Sequence, residues 1–490
     1  MPNYRVPSVA DLVFIVAAPI KAIHGAVKLT QSDGDLAAHI RMGDTILRAG
    51  AIPTHSLASY TAALQPLVAH GWLSELLFAL LFRAGGLPLI AVFTACAIGI
   101  THALVAEFLR RRGVDARWAL AAALISLALG LSHWLARPHM FSIMGSLATI
   151  LLLESERRRA WQFFVLFALW ANLHGGWLFG LLLIGAYAAG ALGEFVVTRD
   201  RNWLSRARSD GMSLLAAGIA TLLNPYGIAL HREVLSAITS TSLAGSISEY
   251  MAPNFQELMN LPFLLVLMLS ITLLAITPKR IRFPWLAVLL LSLFFALRSY
   301  RNIALFGVTA WPLIALHAAN TWPAGRKSPL FRDVARLDRQ AVTGIWSLPV
   351  LALLLTLGLN RGHVAGVSLI KDEFDPHTFP VNAVKVARAA GVTGRVFHPW
   401  VWGGYLMYAW PGAPLHVDPL KFSQATMDSY TTIYELRPGW ERELSQWNVA
   451  VVLVPPKSYL ARALAGRAGW HLWYRDSTAI LFRTGRASYP

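Results

Sequence analysis

QSDGDLAAHIRMGDTILRAG (residues 31–50) opens the stretch that decides how this chain is read, and HGWLSELLFALLFRAGG (70–86) closes it. Residues 30–86 are the longest polar-marked interval before an almost unbroken series of apolar segments. Asp33, Asp35 and His39 stand at its head. Asp35 and His39 are spaced i, i+4, so they share one face of a helix that starts near Leu36 with Asp35 as its N-cap, Asp33 sitting just outside. Two carboxylates beside an imidazole at a membrane boundary are costly unless they are hydrated, paired or used. The interval is therefore read as a candidate catalytic loop with helices over about 36–49 and 72–84. The second of these carries Glu75 and Arg83 and is too short to cross ~30 Å of hydrocarbon, so it is expected to lie in the membrane interface.

The composition agrees with a chain built for lipid. Hydrophobic residues make up 56%, charged residues only 14%, and there are 18 Trp; the mean hydropathy is +0.50. Apolar runs near 10–29, 87–109, 117–135, 139–154, 160–173, 175–197, 211–223, 260–277, 283–297, 302–320 and 343–360 give a polytopic α-helical membrane protein of about eleven spans. The net charge of +17 does not point to nucleic acid, because the basic residues cluster between apolar runs. Arg110–Arg112, Arg157–Arg159, Arg199–Arg208, Lys279–Arg282 and Arg326, Lys327 with Arg332–Arg339 all fall on one side of this topology, which the positive-inside rule makes cytoplasmic. The opposite side holds scattered arginines: Arg41, Arg48, Arg83, Arg137, Arg232, Arg298 and Arg301. The single cysteine, Cys96, excludes an intrachain disulfide.

The same topology keeps the N-terminus cytoplasmic and exports residues 361–490, leaving 1–360 as the transmembrane domain with 30–86 as its first external loop. The exported part is less apolar. GRVFHP (394–399), LHVD (415–418) and VAVVLVPP (449–456) read as short buried strands separated by helices near 380–390, 421–434 and 457–465, with a closing hairpin around Asp476 and Ser477. An extracytoplasmic α/β domain is expected. The glycine pair of WGGYL (402–406) marks a turn or a close-packing position.

Polar motifs inside the apolar region share the outer side: Arg137 and His139 in ARPHMFS, His174 in ANLHGGW, Asn224 in LNPYG, and Arg298 and Arg301 in RSYRN. Groups of this kind at one depth imply an outward-facing cavity. Arg298 and Arg301 stand where positive charge is disfavoured, and a buried anion such as a lipid phosphate suits them. His39, His70, His139 and His174 can supply imidazoles, but no zinc-protease spacing is present. A carboxylate pair with a phosphate suits Mg²⁺ or Mn²⁺ on Asp33 and Asp35; metal-independent chemistry is equally open.

The segment DLAAHIRMGDTILRAGAIPTHSLASYT (35–61) and the HGWLSE that follows resemble the first external loop of the GT-C superfamily of membrane glycosyltransferases, which includes protein O-mannosyltransferases, aminoarabinose transferases and the oligosaccharyltransferase catalytic subunit. GRVFHPWVWGGYLMYAWP (394–411) is similar to the external domain of bacterial relatives. His55 stands where such loops carry an acidic residue. The resemblance implies transfer of a sugar from a polyprenyl-phosphate carrier to a glycan, lipid or protein acceptor at the periplasmic face of a bacterial inner membrane. Asp33 or Asp35 would be general base with Glu75 in reserve; Arg137, Arg298 and Arg301 would bind the phosphate; and His39, His70, His139, His174 and Asn224 would line the substrate site. Two other classes stay open: an O-antigen-type ligase or polymerase, and a non-catalytic assembly or transport protein.

Overall fold

The computed structural model describes residues 4–131, 133–239, 248–321, 329–421 and 423–485; Arg326 and Lys327 lie outside them. The chain is mostly helical and divides into two compact units, Met1–His24 with Ala91–Gly358, and Gly25–Ile90 with Leu359–Pro490. The division expected at residue 360 is therefore drawn differently by contacts. The loop expected over 30–86 groups with the C-terminal region, where Ser56, Ser59 and Tyr60 hydrogen-bond to Asp418, His416 and Leu415.

In the first unit, α1 (Val9–Ile23) starts at a capping box in which the Ser8 and Asp11 side chains and backbone bond reciprocally. There follow the end of α3 (Trp72–Arg111), α4 (Ala116–Leu129), α5 (His139–Leu153), α6 (Ala160–Leu173), α7 (Trp177–Thr198), α8 (Arg201–Ala220), α9 (Ile228–Thr239), α10 (Leu261–Ile276), α11 (Phe283–Arg298), α12 (Ile303–Thr321), α13 (Pro329–Gln340) and α14 (Ser347–Leu359). Among the described residues, four segments are long and apolar enough to cross a membrane: Trp72–Arg111, Trp177–Thr198, Leu258–Ile276 and Tyr300–Ala319. Shorter apolar helices, α4, α5, α6, α11 and α14, accompany them. The helices lock through hydroxyl and indole donors to backbone oxygens: Ser126 Oγ donates to Gly307 O at 2.7 Å and Trp311 Nε1 to Ala122 O at 2.9 Å. At one end, Glu107 accepts from Arg110, Arg111 and Thr343, while Asp11 accepts from Ser347 Oγ at 2.6 Å. α8 begins ten residues before the apolar run expected there, since the Asp200 carboxylate caps the Asn202 N–H at 2.9 Å.

The second unit is built on α2 (Gly34–Ala49) and the start of α3. Asp33, in extended conformation at φ −106°, caps α2 by accepting from Asp35 N at 3.1 Å. This corrects the expected cap. An N-cap carboxylate reaches the amide two residues on, so Asp33 takes that place and Asp35 falls in the first turn. Gly50, in the left-handed region at φ 64°, ends α2. α3 departs from helical geometry at Gly85 and Gly86, between the two apolar stretches read from the sequence. The new start at Leu87 is capped across the chain: Asp372 Oδ1 accepts from Leu87 N at 2.8 Å, and its Oδ2 accepts from Arg361 at 2.7 Å.

The C-terminal residues form a four-stranded sheet, β3 (Arg395–Phe397), β4 (Val449–Val454), β6 (Ile480–Thr484) and β5 (Trp470–Arg475) in that spatial order, with β3 parallel to β4 and the rest antiparallel. Helices α17 (Gln424–Tyr434), α18 (Trp440–Gln446) and α19 (Tyr459–Leu464) bury Ile433, Leu444, Leu460 and Leu464 against Phe397, Val452, Val454 and Phe482. α15 (Val381–Ala389) and α16 (Gly403–Ala409) complete this region. A two-residue hairpin joins β1 (His363–Val364) to β2 (Val367–Ser368) through Ala365 and Gly366, both at positive φ.

Candidate functional site

The loop that joins α2 to α3 is held by the sheet region of its own unit. Beyond β3 the sheet continues as single bridges, Val396 to Leu415 and Leu415 to Ser59, both parallel. Leu415 N donates to Ala58 O at 2.9 Å, and Tyr60 N donates to Leu415 O at 3.0 Å. Residues 58–60 are thus an added edge of that sheet. The glycine pair expected as a close-packing position is one: a Cβ on Gly404 would meet Gly34 O at 2.1 Å, and one on Gly34 would meet Val401 O at 2.7 Å. Gly404 is what lets α16 approach the start of α2, and Gly34 lets the turn at Val401 close over it.

The acidic group forms where α2 and α3 meet. A Cβ on Gly43 would lie 1.9 Å from Glu75 O, so the two backbones touch there. This brings His39 Nδ1 to 3.2 Å from Glu75 Oε1. Glu75 is 4% exposed, and its second oxygen, Oε2, is buried without a hydrogen-bond partner. Asp35 is partly exposed one turn before His39, while Asp33 is buried. A second link between the helices runs from Arg83 to Asp44 Oδ1 at 2.6 Å. His70 stands exposed at the surface before α3.

Sequence reasoning missed the groups that the C-terminal region adds. Asp418 is fully buried, accepting from Ser56 Oγ at 2.6 Å and from Leu420 N at 2.8 Å. Burial pushes its carboxyl up, against these hydrogen bonds, and the Glu75 charge acts in the same direction as burial. His416 is buried too, with Nδ1 at 2.7 Å from Tyr60 OH; burial, with His398 nearby, holds it down at about 3. His398, buried with Nε2 unpartnered, is pushed down by burial to about 4. LHVD had been legible only as a strand; its polar residues are spent on the loop that carries Ser56 and Tyr60.

The first unit gathers a second, basic group. His139 Nε2 meets His133 O at 2.7 Å, the two imidazole centroids lie 4.2 Å apart with their planes tilted by 36°, and the charges of Arg137 and Arg301 act on His139. Arg137 pairs with Glu249 at 3.4 Å, and the Arg301 guanidinium lies 4.5 Å from the Tyr250 ring centroid. Arg298 is exposed. His174 and Asn224 are engaged locally: Ser142 Oγ lies 2.7 Å from His174 Nδ1, and the Asn224 side chain closes its own turn, accepting from Tyr226 N and donating to Thr221 O.

The fold is shared with solved structures. The oligosaccharyltransferase of Archaeoglobus fulgidus in its apo form matches at a TM-score of 0.56 and 14% identity, covering 98% of this chain and 74% of its own. The archaeal oligosaccharyltransferase AglB of the same organism, in complex with an inhibitory peptide and a dolichol-phosphate, matches at 0.55 and 13%, covering 98% and 75%. ArnT from Cupriavidus metallidurans in the apo state matches at 0.50 and 14%, covering 96% and 97%. The fold is the GT-C fold. At these identities the likeness is one of GT-C architecture. No family model and no curated protein matches the sequence.

Among the described residues, no three His, Cys, Asp or Glu side chains converge as a metal-ligand cluster. The expected pair, Asp33 and Asp35, offers carboxylate oxygens of the kind Mg²⁺ or Mn²⁺ takes together with waters and substrate phosphate: Asp35 is partly exposed, and Asp33 is buried with one oxygen accepting from the Asp35 N–H.

Proposed function

We propose that this protein is a glycosyltransferase that moves a sugar from a polyprenyl-phosphate carrier to an acceptor at the periplasmic face of a bacterial inner membrane. The observation that carries the reading is the His39–Glu75 pair, with one Glu75 oxygen buried and unpartnered, beside the Asp33-Gly34-Asp35 helix start in a GT-C fold. AglB in complex with dolichol-phosphate supplies the precedent for a polyprenyl-phosphate ligand on this architecture.

In the proposed reaction Asp35 accepts the proton of an acceptor hydroxyl, the resulting oxygen attacks C1 of the sugar, and the bond from C1 to the phosphate oxygen breaks to release polyprenyl phosphate. Asp33, bonded to the backbone of Asp35, orients that carboxylate. Glu75, fixed by His39, is the second acidic group. Arg137, Arg298 and Arg301, with His139, are proposed to hold the phosphate. A divalent ion on Asp33 and Asp35, where bound, would neutralise phosphate charge; the acid–base step does not depend on it. The topology that belongs with this reading has about eleven spans, a cytoplasmic N-terminus and a periplasmic α/β domain.

The test is release of polyprenyl phosphate from labelled polyprenyl-phosphate sugars by purified protein, comparing wild type with Asp35→Asn and Glu75→Gln. Release that either substitution abolishes supports the transferase. No release from any single-sugar donor, with turnover of an oligosaccharide-diphosphate donor, assigns the ligase class; no turnover of either kind assigns an assembly or transport role.

A further inference from the structure

A groove opens in the second unit between α18 and the end of the sheet where β4 and β5 start and β6 finishes. Its cavity of about 540 Å³ is lined by the half-buried indoles of Trp440 and Trp470, with Glu441, Ser445, Asn448 and Arg467 around them. That volume falls in the ~300–1,000 Å³ range of small-molecule sites. Both indoles pack against the core cluster that includes Leu444, Val449 and Phe482 while staying half-exposed to the groove. The polar groups supply donors and acceptors in nearly equal measure: a carboxylate, a guanidinium, an amide and a hydroxyl.

The charge of the groove is balanced, since Arg467 and Glu441 form an ion pair with each other. A free phosphate or an acidic peptide would have to break that pair, so the lining favours a neutral ligand. Rigid aromatic planes flanked by side chains able to give and accept hydrogen bonds match a pyranose ring, which shows a C–H face to an indole and hydroxyls at its rim. We infer that this groove is a binding subsite for a neutral saccharide, the glycan part of the acceptor. The inference rests on the transfer reading, which it deepens by naming the acceptor class.

The position of the groove connects it to the loop. The opposite face of α18 carries Glu443, with Trp447 just beyond its end, and both bond to Ser429: Ser429 Oγ donates to Glu443 Oε2 at 3.0 Å, and Trp447 Nε1 donates to Ser429 Oγ at 2.9 Å. Ser429 in turn lies 3.4 Å from His416 Nε2, whose other nitrogen meets Tyr60 of the first external loop. One short helix therefore has the groove on one side and the loop's anchoring network on the other.

The experiment uses the full chain in detergent micelles, with chitobiose, maltose and mannobiose as probes read by saturation-transfer NMR. At least one probe is expected to bind, with Trp470→Ala weakening it by about tenfold or more and Trp470→Phe largely restoring it. Ala468→Trp, which fills the groove from an exposed position and leaves the core intact, should abolish the signal. Binding by none of the three probes, or binding undiminished in Ala468→Trp, overturns the inference. Release of polyprenyl phosphate from donor is followed in the same samples. Its failure with probe binding intact and sensitive to Ala468→Trp brings down the transfer reading and leaves the saccharide groove standing.

Discussion

His39 and Glu75 are 36 residues apart in sequence and 3.2 Å apart in space, the imidazole of α2 fixing one oxygen of a carboxylate on α3 while the other is left buried and unpartnered. A buried acidic oxygen without a partner is expensive, and structures keep such a group where a ligand completes it. Glu75→Gln preserves shape and removes charge, so it should lower polyprenyl-phosphate release by about 10²-fold or more while leaving thermal unfolding nearly unchanged. Asp35→Asn should lose about 10²–10⁴-fold if its carboxylate takes the acceptor proton. Equal release by wild type and both variants would remove the acidic centre from this seam.

The contact that makes the pair is backbone on backbone. Gly43→Ala would drive a Cβ to 1.9 Å from Glu75 O, and the helices must separate. A cost of about 1–3 kcal/mol is expected, together with loss of release activity, because the imidazole moves away from the carboxylate. Thermal unfolding and activity measured on one preparation check both. A variant with wild-type melting and activity would mean that α2 and α3 do not cross at this position.

Acid should weaken the second unit through its buried imidazoles. His398 and His416 are held down at about 4 and about 3, below the ordinary 6.5 they regain on unfolding. Between those values the unfolded chain binds more protons than the folded one, so stability is full above about pH 6.5 and falls as pH drops toward 4. The melting temperature should decline across that window, and His398→Leu should flatten the decline. A melting temperature constant from pH 7 to 4.5 would show that these imidazoles reach solvent.

Asp418 tests the anchoring of the loop. Both of its oxygens accept, from Ser56 Oγ and from Leu420 N. In Asp418→Asn an amide NH₂ must face one of those donors, which costs about 1–3 kcal/mol at a fully buried position. Protease sensitivity of residues 51–66 should rise in this variant before global unfolding does; unchanged cleavage would place the anchor elsewhere.

In the first unit, Arg301→Gln should weaken binding of a polyprenyl phosphate by about tenfold, the loss of one charge-assisted contact. The same substitution at Arg298, which is exposed, should do less. Equilibrium binding of labelled lipid phosphate separates the two, and a larger effect at Arg298 would reverse their proposed roles.

What could be read from the sequence was local. Asp33, Asp35 and His39 sit within one helical turn or two of each other, so their shared surface follows from spacing; the glycine pair at 403–404 could be named as a close approach without saying to what. The cap was misplaced by two residues because Asp33 and Asp35 are chemically identical candidates, and only the backbone conformation chooses between them. Asp418, His416 and His398 gave no signal. Each is a single polar residue in a short apolar stretch, and the partners of Asp418 and His416, Ser56 and Tyr60, lie in a loop hundreds of residues earlier. Long-range pairings of this kind leave no periodicity in either segment.

The strand-like edge at residues 58–60 has a consequence for how the chain is made. Ser59 Oγ donates to His416 O, 357 residues later. When the loop between α2 and α3 emerges from the ribosome, the backbone that completes it has not been synthesised, and it stays missing while every helix of the first unit is being made. The loop reaches its final geometry only near the end of translation. A chain that stops short of Leu415 can insert all of its apolar helices and still lack the carbonyl and amide that hold Tyr60, so such a product would be membrane-embedded, expressed and inert.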